Sequence, residues 1–397
     1  MNEKEEPPLR IFIVAGEASG DLHAAPLMEA IRKASPRPVV FRGIGGDKMR
    51  EAGQEQLVHC DSIAVIGFWE VLKRARFFAR LLKRMEDEIR DWEPDLLLTV
   101  DYPGFNLRLA ARAKKMGVKT VHYICPQVWV WRRNRIWKIA KVLDRLITIF
   151  PFEPECFAPT TLRPVYAGHP LVDRAAETLA EPEAELPWLA SSRRVALLPG
   201  SRPNEIAKIL PDMIGAALSL EGQLEDPVSF IIPASSDAIR MQINAVLDTL
   251  PRRPHHLAIV DGQAREVLRQ AEAAAVTSGT ATLEASLMLC PTVLVYRTTW
   301  LTYRLGRIVL RKAGHIGLAN LITGKEVMPE LIQDALTPDA LSELLATYLT
   351  DSAVREKMIA SLRAVNAALG DGDAAQRAAR AVLEAVLPQA VAEDAGA

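Results

Sequence analysis

Short apolar runs alternate with helical patterns along the first half of the chain. Strands are predicted at residues 10–15 (RIFIVA), 38–41, 96–100 (LLLTV), 119–124 and 145–150, and helices at residues 21–33, 70–92 and 106–116. Strands separated by helices of this length indicate βαβ crossovers, which build a parallel sheet with helices on both faces. The first half is therefore predicted to be an α/β domain.

The alternation stops near residue 151 and resumes at residue 194, and residues 181–187 (EPEAELP) are typical of a linker. Further strands are predicted at residues 194–199 (RVALLP), 229–233, 257–260, 274–277 and 292–296, and helices from residue 338 to residue 387. We expect two doubly wound, Rossmann-like α/β domains that face a cleft, with ligands at the carboxyl ends of the strands. The expected parts are residues 1–170, residues 171–370, and a C-terminal helix with a frayed tail at residues 371–397.

Composition excludes several protein classes. Hydrophobic residues make up 49% and charged residues 24% of the chain, which is typical of a folded protein. No apolar run approaches the roughly 18 residues of a membrane-spanning helix, and the opening MNEKEEPPLR lacks the apolar region of a signal peptide. The four cysteines form no CxxC pair and the histidines no HxxxH spacing, so no metal site or disulfide framework is expected. A reducing cytoplasm is the expected compartment.

The charge is unevenly distributed. The whole chain carries a net charge of −1, but residues 73–145 contain 18 Lys and Arg against 8 Asp and Glu. So basic a segment on a nearly neutral protein indicates an anionic partner. The charge alone leaves lipid headgroups, nucleotide phosphates and nucleic acid open.

The turn after the first predicted strand, at residues 15–21, is a candidate ligand loop. It contains Glu17, Ser19 and Gly20 before a predicted helix, and such small residues let backbone N–H groups approach a ligand. It matches neither GxGxxG nor GxxxxGK[ST], so dinucleotide and P-loop sites are not predicted. A tight, capped turn without a ligand remains the alternative.

Asp101 directly follows the strand LLLTV. Its carboxylate is therefore expected at the ligand-binding edge of the sheet, where it would act as a general base on a hydroxyl nucleophile. The alternative is an N-cap of the next helix, although Asn106 is better placed for that role. His169 would cap a turn or reach a phosphate, and no residue is predicted for covalent catalysis.

In the second half, two loops after predicted strands favour phosphate. Ser201 and Arg202 precede one helix, and an Arg fork there would bind diphosphate oxygens. Ser278, Gly279 and Thr280 precede another, with Glu284 one turn further, where it would accept hydrogen bonds from sugar hydroxyls. An ordinary capped helix with Glu on a solvated face is the alternative.

Three stretches, at residues 68–85, 124–141 and 299–312, mix aromatic and basic residues. The first has six Lys or Arg and no acidic residue between residues 71 and 85, as in helices that lie on anionic lipid. Each alone is consistent with a core helix that has a solvated basic face, but three together favour a membrane-facing role. In the first stretch the expected contacts are Phe68, Trp69, Lys73, Arg76, Phe77, Arg80, Lys83 and Arg84.

The ordered motifs together resemble the lipid-A-disaccharide synthase family, which are inverting glycosyltransferases of the two-domain GT-B type. The resemblance rests on AGEASGDLH (15–23), GIGG (43–46), IGFWEVL (66–72), DYPGFN (101–106), HYICPQVWVWRRNR (122–135), FPFE (150–153), GHPLVD (168–173), LLPGSRPNEI (197–206), SGTATLE (278–284) and Tyr296–Arg297. Three positions depart from the family pattern: Cys125 replaces Ser, Ala319 replaces the Pro before Asn320, and Gly104 replaces a second Asp of some members.

The resemblance implies transfer of 2,3-diacylglucosamine from its UDP derivative to the 6-hydroxyl of 2,3-diacylglucosamine 1-phosphate, with UDP as the other product. It implies Asp101 as the base, acting alone, and a UDP site at Ser201, Arg202, Ser278, Gly279, Thr280, Glu284, Arg297 and Asn320. Glu17, Ser19, Gly20 and His169 would lie in the acceptor region or cleft, with Asp101 and the UDP site facing each other.

The same resemblance implies no cofactor, no metal ion and no nucleic acid. The expected location is the cytoplasm, with peripheral attachment to the anionic inner face of the cytoplasmic membrane. Rival interpretations are another UDP-sugar enzyme of the same fold, such as a UDP-N-acetylglucosamine epimerase or the glycosyltransferase of peptidoglycan synthesis, and a non-catalytic peripheral lipid-binding protein. Acyl-chain preference and homo-oligomer formation are left open.

Overall fold

The computed structural model describes residues 6–63, 75–129, 134–298 and 314–387. The described chain divides into two compact units, with the divisions after Pro170 and after Asp371. Unit 1 contains the residues before Leu171 and those after Asp371, and unit 2 contains the residues between. No described helix is both long enough and apolar enough to cross a membrane.

Unit 1 is built on a parallel sheet of seven strands in the order β3-β2-β1-β4-β5-β6-β7. Its elements before the division are β1 (Leu9–Ala15), α1 (Ala18–Ala34), β2 (Val39–Gly45), α2 (Asp47–Glu51), β3 (Gln54–His59), a 3₁₀ turn (Cys60–Ser62), α3 (Ala75–Trp92), β4 (Leu96–Val100), α4 (Pro103–Lys115), β5 (Lys119–Tyr123), α5 (Arg135–Val142), β6 (Arg145–Thr148), α6 (Glu153–Cys156) and β7 (Val165–Tyr166).

Alternation along β1 divides the core of unit 1 between the two faces of the sheet. Phe12 and Val14 are fully buried with apolar residues of α3, α4 and α5, which cover one face. Ile11 and Ile13 alternate with them and are also fully buried. The central strand β4 is buried at all five positions, as expected for a parallel strand covered on both faces.

Unit 2 contains a parallel sheet of six strands in the order β10-β9-β8-β11-β12-β13. The elements from the division at Pro170 onward are α7 (Pro170–Ala180), β8 (Arg193–Leu198), α8 (Pro203–Gln223), β9 (Val228–Ala234), α9 (Asp237–Thr249), β10 (Leu257–Asp261), α10 (Ala264–Gln270), β11 (Ala273–Thr277), α11 (Thr280–Leu287), β12 (Thr292–Tyr296), α12 (Leu318–Thr323), β13 (Glu330–Ile332), a 3₁₀ turn (Gln333–Ala335), α13 (Pro338–Thr350) and α14 (Ser352–Ala368).

The last described helix, α15 (Ala374–Val386), returns to unit 1. It packs along α1 and also contacts β5 and β6. Arg377 Nε donates a hydrogen bond to the carbonyl oxygen of Ala167 at 2.8 Å, and Arg145 Nη1 lies 3.3 Å from Glu384 Oε2. Unit 1 is therefore assembled from two separate stretches of sequence.

The α/β class with two doubly wound parallel sheets is confirmed. The sequence analysis missed the edge strands β3, β7 and β13 and the helices α2, α6, α7 and α12. It also began two helices late: α1 starts at Ala18 rather than at residue 21, and α4 starts at Pro103 rather than at residue 106.

Candidate functional site

In unit 1, strand order reverses between β1 and β4, which lie side by side while the chain proceeds from each in opposite directions across the sheet. Ligands of doubly wound sheets bind at such a reversal, beyond the carboxyl ends of the strands. The loop after β1 contains Gly16 and Glu17, and the loop after β4 contains Asp101 and Tyr102. The first-half loops singled out in the sequence are thus neighbours.

Asp101 sits in a strained stretch of backbone at this edge. Its φ is 49° and that of Tyr102 is 45°, values in the left-handed region that non-glycine residues rarely adopt. The Asp101 N–H donates to the carbonyl oxygen of Tyr123 at 2.9 Å, which ties the turn to β5. Burial raises the pKa of the Asp101 carboxyl, and a hydrogen bond from the backbone of Tyr102 partly opposes this. The raised pKa makes the carboxylate a stronger base.

Tyr102 and Asn106 hold this turn against β1. A Cβ atom on Gly16 would lie 2.3 Å from Tyr102 Cδ1, so only glycine fits there, and the Tyr102 hydroxyl donates to the carbonyl of Ile63 at 3.1 Å. Asn106 is fully buried inside α4, and its Nδ2 donates to the carbonyls of Asp101 at 2.7 Å and Val100 at 3.1 Å. Asn106 is therefore a brace for the Asp101 turn and not the N-cap that the sequence suggested.

The other candidate site residues of the first loop differ in their solvent exposure. Glu17 precedes α1 as its N-cap residue, and the side chains of Glu17 and Ser19 are exposed. Gly20 is buried, and a Cβ there would lie 3.3 Å from Ala15 Cβ and 3.5 Å from the carbonyl oxygen of Val100. Gly20 thus serves the close approach of α1 to the sheet, whereas Glu17 and Ser19 are accessible to a ligand.

The GIGG turn has a structural role. The buried carboxylate of Asp21 accepts hydrogen bonds from the N–H groups of Gly46 at 2.7 Å, Lys48 at 3.0 Å and Met49 at 3.0 Å. These bonds satisfy the free N–H groups at the start of α2. Gly43 has a φ of 149°, and a Cβ on it would lie 2.1 Å from the carbonyl oxygen of Ile13.

His169 is buried at the same edge of unit 1, with its ring centroid 5.1 Å from that of Phe150. Burial, together with the nearby His23, lowers the pKa of His169 to about 3. A neutral imidazole packed on an aromatic ring does not supply the positive charge that would attract phosphate. Because a neutral imidazole still has one N–H donor, both roles expected for His169 stay predictions.

Glu153 is a buried carboxyl that the sequence analysis did not single out. Its Oε2 accepts hydrogen bonds from the N–H groups of Ile149 and Phe150, both at 3.0 Å, and the residue is fully buried. Burial raises the pKa of Glu153 to about 8, although these two N–H groups and the Cys125 thiol lower it. Glu153 differs from an ordinary surface Glu only by its burial in the folded protein. Its position after FPF in the sequence did not reveal that burial.

In unit 2, strand order reverses between β8 and β11. The loop after β8 contains Gly200, Ser201 and Arg202, and the loop after β11 contains Ser278 and Gly279. The two loops that the sequence assigned to phosphate therefore lie beside each other, at the place where a doubly wound sheet binds its ligand.

Arg202 is the N-cap residue of α8, and its side chain is 67% exposed. Its Nη1 donates to Glu205 Oε1 at 2.8 Å, which holds the guanidinium over the first turn of the helix. Gly200 has a φ of 112°, and a Cβ there would lie 2.7 Å from Glu205 Oε2. Helix N-termini attract anions, so this turn combines a reachable cation with the positive end of a 21-residue helix.

Ser278, Gly279 and Thr280 form the second turn. The Ser278 N–H donates to the carbonyl of Val295 at 3.1 Å, and Thr280 begins α11. Gly279 has a φ of 150°, but a Cβ there would meet nothing within 4 Å among the described atoms. Gly279 and Thr280 are exposed, so the turn is accessible to a ligand.

Glu284 lies one turn into α11 and is paired, which the sequence did not reveal. Its Oε1 is 3.7 Å from Arg265 Nη1 on α10, and its side chain is 20% exposed. Burial raises the pKa of Glu284, while Arg265 and Arg174 lower it. Glu284 is thus a partly buried carboxylate next to the phosphate-favouring turn, with two arginines nearby.

Arg297 and Asn320, which the sequence analysis expects at the UDP site, both make hydrogen bonds within unit 2. Arg297 Nη1 pairs with Asp212, and its Nη2 donates to the carbonyl oxygens of Gln333 and Leu336. Asn320 is fully buried, with Nδ2 donating to the carbonyl of Met328 and to Glu330, and Oδ1 accepting from the N–H groups of Val327 and Met328. Both side chains brace the segments around β13.

The structure describes only some of the residues that the sequence analysis predicted to contact the membrane. Phe68, Trp69 and Lys73 lie outside the described residues. Arg76, Arg80, Lys83 and Arg84 are exposed on α3, and Lys83 pairs with Asp87 at 2.8 Å.

Phe77 does not match its predicted role on α3. It is partly buried against the core, with its ring 5.5 Å from that of Phe78, because the apolar side of α3 packs on the sheet. The exposed face of α3 is therefore cationic without an apolar stripe.

One group of potential metal ligands occurs among the described residues: His59, Cys60 and Asp61, whose ligand atoms lie within 4.8 Å of one another. Burial and the carboxylates of Asp61, Asp21 and Asp47 raise the pKa of the Cys60 thiol to about 11, which keeps it protonated. We assign no metal to it.

Two solved structures share the architecture of the whole chain. The UDP-GlcNAc 2-epimerase from Neisseria meningitidis, bound to UDP-GlcNAc, aligns with a TM-score of 0.64 at 13% identity and covers 93% of this chain and 98% of that one. The calicheamicin glycosyltransferase CalG4 aligns with a TM-score of 0.61 at 15% identity and covers 96% of this chain and 100% of that one. The fold is that of glycosyltransferases and sugar-nucleotide epimerases of the GT-B type.

Sequence comparison separates these classes. Residues 11–384 match the family model of lipid-A-disaccharide synthetase. The lipid-A-disaccharide synthase of Anaeromyxobacter dehalogenans strain 2CP-1 is 40% identical over 375 residues, which is 94% of this chain and 97% of that protein. The chain belongs to the lipid-A-disaccharide synthase family and is a glycosyltransferase. This confirms the family predicted from its motifs.

Proposed function

We propose that this protein transfers 2,3-diacylglucosamine from UDP-2,3-diacylglucosamine to the 6-hydroxyl of 2,3-diacylglucosamine 1-phosphate, with inversion at the anomeric carbon. The products are the β-1,6-linked lipid A disaccharide 1-phosphate and UDP. The observation that carries the proposal is the family match over residues 11–384. The arrangement of each strand reversal supports it, with a basic carboxylate in unit 1 and anion-favouring turns in unit 2.

We assign activation of the acceptor to Asp101. Its carboxylate takes the proton of the 6-hydroxyl as that oxygen forms its bond to the anomeric carbon of the donor. The bond between the anomeric carbon and the diphosphate oxygen breaks in the same displacement, and its electron pair leaves with UDP. The raised pKa of Asp101 supports this role because a more basic carboxylate holds the proton better. Glu17 and Ser19, exposed on the neighbouring loop, are proposed contacts for the acceptor.

We assign the donor nucleotide to unit 2. Arg202 and the N-terminal turn of α8 are proposed to bind the diphosphate, together with the exposed turn at Ser278, Gly279 and Thr280. The same groups stabilise the negative charge that develops on UDP as it leaves. Glu284 is proposed to accept hydrogen bonds from the ribose hydroxyls. Residues 1–170 would then serve the acceptor and residues 171–370 the donor.

We also propose peripheral binding to the anionic inner face of the cytoplasmic membrane, through the helical layer of unit 1 formed by α3, α4 and α5. The exposed cations of α3 support electrostatic attraction. On α5, Trp137 is 50% exposed beside the exposed Lys138 and Lys141. Aromatic side chains with a polar edge favour the membrane–water interface, so Trp137 would add an apolar contact that α3 lacks.

The test measures UDP release by the purified protein with each substrate alone and with both together. We expect release only when both diacylated sugars are present, with a disaccharide 1-phosphate formed in equal amount. Release of UDP from non-acylated UDP-N-acetylglucosamine, or isomerisation of this sugar nucleotide, would instead indicate the epimerase or the peptidoglycan enzyme. Binding of anionic vesicles without turnover of either substrate would indicate a non-catalytic lipid-binding protein.

A further inference from the structure

Glu284 lies in an electrostatic environment with two opposing influences. Its side chain is mostly buried, which favours the neutral carboxyl. Arg265 Nη1 is 3.7 Å from its Oε1, and Arg174 on α7 acts on it more weakly, which favours the carboxylate. Burial is already the larger influence, since the pKa of Glu284 is raised with both arginines present, and removing a guanidinium would raise this pKa further.

Arg265 is held in place from the other side. Its Nε donates to the hydroxyl oxygen of Thr178 at 3.0 Å, and the Thr178 hydroxyl donates to the carbonyl of Arg174 at 3.0 Å. Only 28% of the Arg265 side chain is exposed. The guanidinium is thus fixed between the C-terminal half of α7 and the carboxylate of α11.

Among the described residues, Arg265 and Arg174 are the two charged groups that act on the pKa of Glu284. On α10 the remaining charges, Glu266 and Arg269, lie 3.6 Å apart as a pair. On α7, Glu177 acts on Arg174. From α14, the uncharged Asn366 lies 3.0 Å from the Ser286 hydroxyl of α11, while Arg355 pairs with Glu272. The strands β11 and β12 and the helix α12 contain no Asp, Glu, Lys, Arg or His. Arg265 and Arg174 are therefore the cations that act on Glu284.

Ribose hydroxyls donate hydrogen bonds more strongly to an ionised carboxylate than to a neutral carboxyl, which has one donor of its own. We propose that Arg265 is a positioning residue for the nucleotide: it keeps Glu284 ionised and fixed so that the carboxylate can accept hydrogen bonds from the ribose. This inference rests on the donor role proposed for Glu284, and the experiment below separates the two.

The experiment measures the affinity of the full-length protein for UDP by titration calorimetry between about pH 5 and about pH 8. The affinity of each variant is divided by that of the wild type at the same pH, which cancels the titration of UDP itself. For Arg265→Ala we expect a loss of about threefold at the alkaline end that grows to tenfold or more at the acidic end, because Glu284 without its cation takes up a proton. Arg265→Lys, which retains the charge, should stay within about threefold of wild type.

The matched control is Arg269→Ala. Arg269 lies one turn further along α10 and donates to the carbonyl oxygens of Thr178 at 2.9 Å and Glu181 at 3.0 Å. Its loss should lower the melting temperature with a UDP affinity ratio near one at every pH. Arg265→Gln repeats the test with a longer neutral side chain, and melting curves check that each variant folds.

Glu284→Gln separates the inference from the proposed function. If it weakens UDP binding at every pH but the loss in Arg265→Ala and Arg265→Gln is independent of pH, Arg265 has only a structural role and the inference is wrong. If Glu284→Gln binds UDP as well as the wild type does, the donor role of Glu284 is wrong.

Discussion

At the strand reversal of unit 1 the proposed base Asp101 is tuned by burial, whereas at that of unit 2 Arg202 and Glu284 are each paired with an opposite charge. Asp101 has a raised pKa because of burial, in a backbone turn with positive φ at two consecutive residues. Arg202 is largely exposed and pairs with Glu205, and Glu284 lies 3.7 Å from Arg265. Both units have the same sheet topology at these places.

The difference matches the chemistry proposed for each unit. A general base gains proton affinity when water is removed from its carboxylate, so burial serves proton transfer. A diphosphate site needs cations that a ligand can reach, and burying such cations would incur a large desolvation cost. The shared topology therefore provides the crevice, and the local environment of each side chain determines the chemistry.

The largest effect is expected from Asp101→Asn, which removes the base while keeping the shape of the side chain. Turnover should fall about 10²- to 10⁴-fold, and UDP affinity should not change. Steady-state kinetics and calorimetry measure the two quantities.

Asp144→Asn is the matched control, because Asp144, whose side chain is 30% exposed, directly precedes β6 and accepts a hydrogen bond from the Thr120 N–H at 2.9 Å. It should lower stability without changing the chemical step. If Asp101→Asn retains most of the activity, the base lies elsewhere, and Glu17 would be examined next.

A smaller effect is expected from Arg202→Ala in unit 2. Loss of a charge-assisted hydrogen bond costs about 1.5–3 kcal/mol, and the exposure of Arg202 places the effect near the lower end, about tenfold in UDP affinity. Because the same contact stabilises the leaving group, turnover should fall as well. Arg240→Ala, which removes an exposed ion pair with Asp261 in the same unit, should change neither quantity. Unchanged UDP affinity in Arg202→Ala would contradict the view that unit 2 binds the diphosphate through a cation that the ligand can reach.

Glu153→Gln tests whether burial raises the pKa of a carboxyl in unit 1, through its effect on the free energy of unfolding. An unfolded chain has an ordinary Glu pKa near 4.5, whereas the folded protein raises the pKa of Glu153 to about 8. Between these values the folded state holds a proton that the unfolded state releases, so its contribution to stability is fully present below pH 4.5 and is lost as pH rises to about 8. The free energy of unfolding should therefore fall by up to about 1.4 kcal/mol per pH unit in this range.

Gln has no ionisable group, so the free energy of unfolding of Glu153→Gln should depend less on pH than that of the wild type. At pH 7 it should exceed the wild-type value by about 1–3 kcal/mol. Denaturant unfolding measures both quantities. Glu155→Gln changes an exposed carboxyl of the same short helix and is the control. Equal pH dependence in Glu153→Gln and wild type would mean that Glu153 is ionised in the folded protein.

The smallest effect is expected at the surface of unit 1, where the cations are neither buried nor part of the proposed site. Replacing Arg76, Arg80, Lys83 and Arg84 by Ser should reduce sedimentation with anionic vesicles severalfold, and high salt should reduce wild-type binding in the same way. The control replaces four exposed cations on α1, α2 and α15, namely Lys33, Lys48, Arg50 and Arg380. Equal losses in both variants would contradict a specific role for α3.

The sequence predicted those parts of the fold whose signal is local. Continuous apolar strands such as LLLTV, and the position of Asp101 directly after one, needed no tertiary information. The edge strand β3 has the sequence QEQLVH, whose polar residues do not show the apolar run of a buried strand. Its pairing with β2 is what makes it a strand.

The contacts of several site residues depend on distant partners. Arg297 follows a strand, as a ligand-binding residue would, but its partner Asp212 lies 85 positions earlier. Asn320 appeared in a motif, yet its four hydrogen bonds brace a neighbouring loop. Arg265 beside Glu284 and the burial of Glu153 likewise arise only from tertiary packing, so residue type and spacing could not reveal them.

The return of α15 to unit 1 has a consequence for synthesis on the ribosome. The helix α1 emerges early, but its packing partner α15 emerges only after all of unit 2 has been translated. Buried residues of α1 such as Leu27, Met28 and Ile31 must therefore wait until α15 has been translated before the sheet face beneath them is fully covered. Unit 2 can complete its own fold before α15 is available, so the unit that contains the proposed base finishes folding only after unit 2 has been translated.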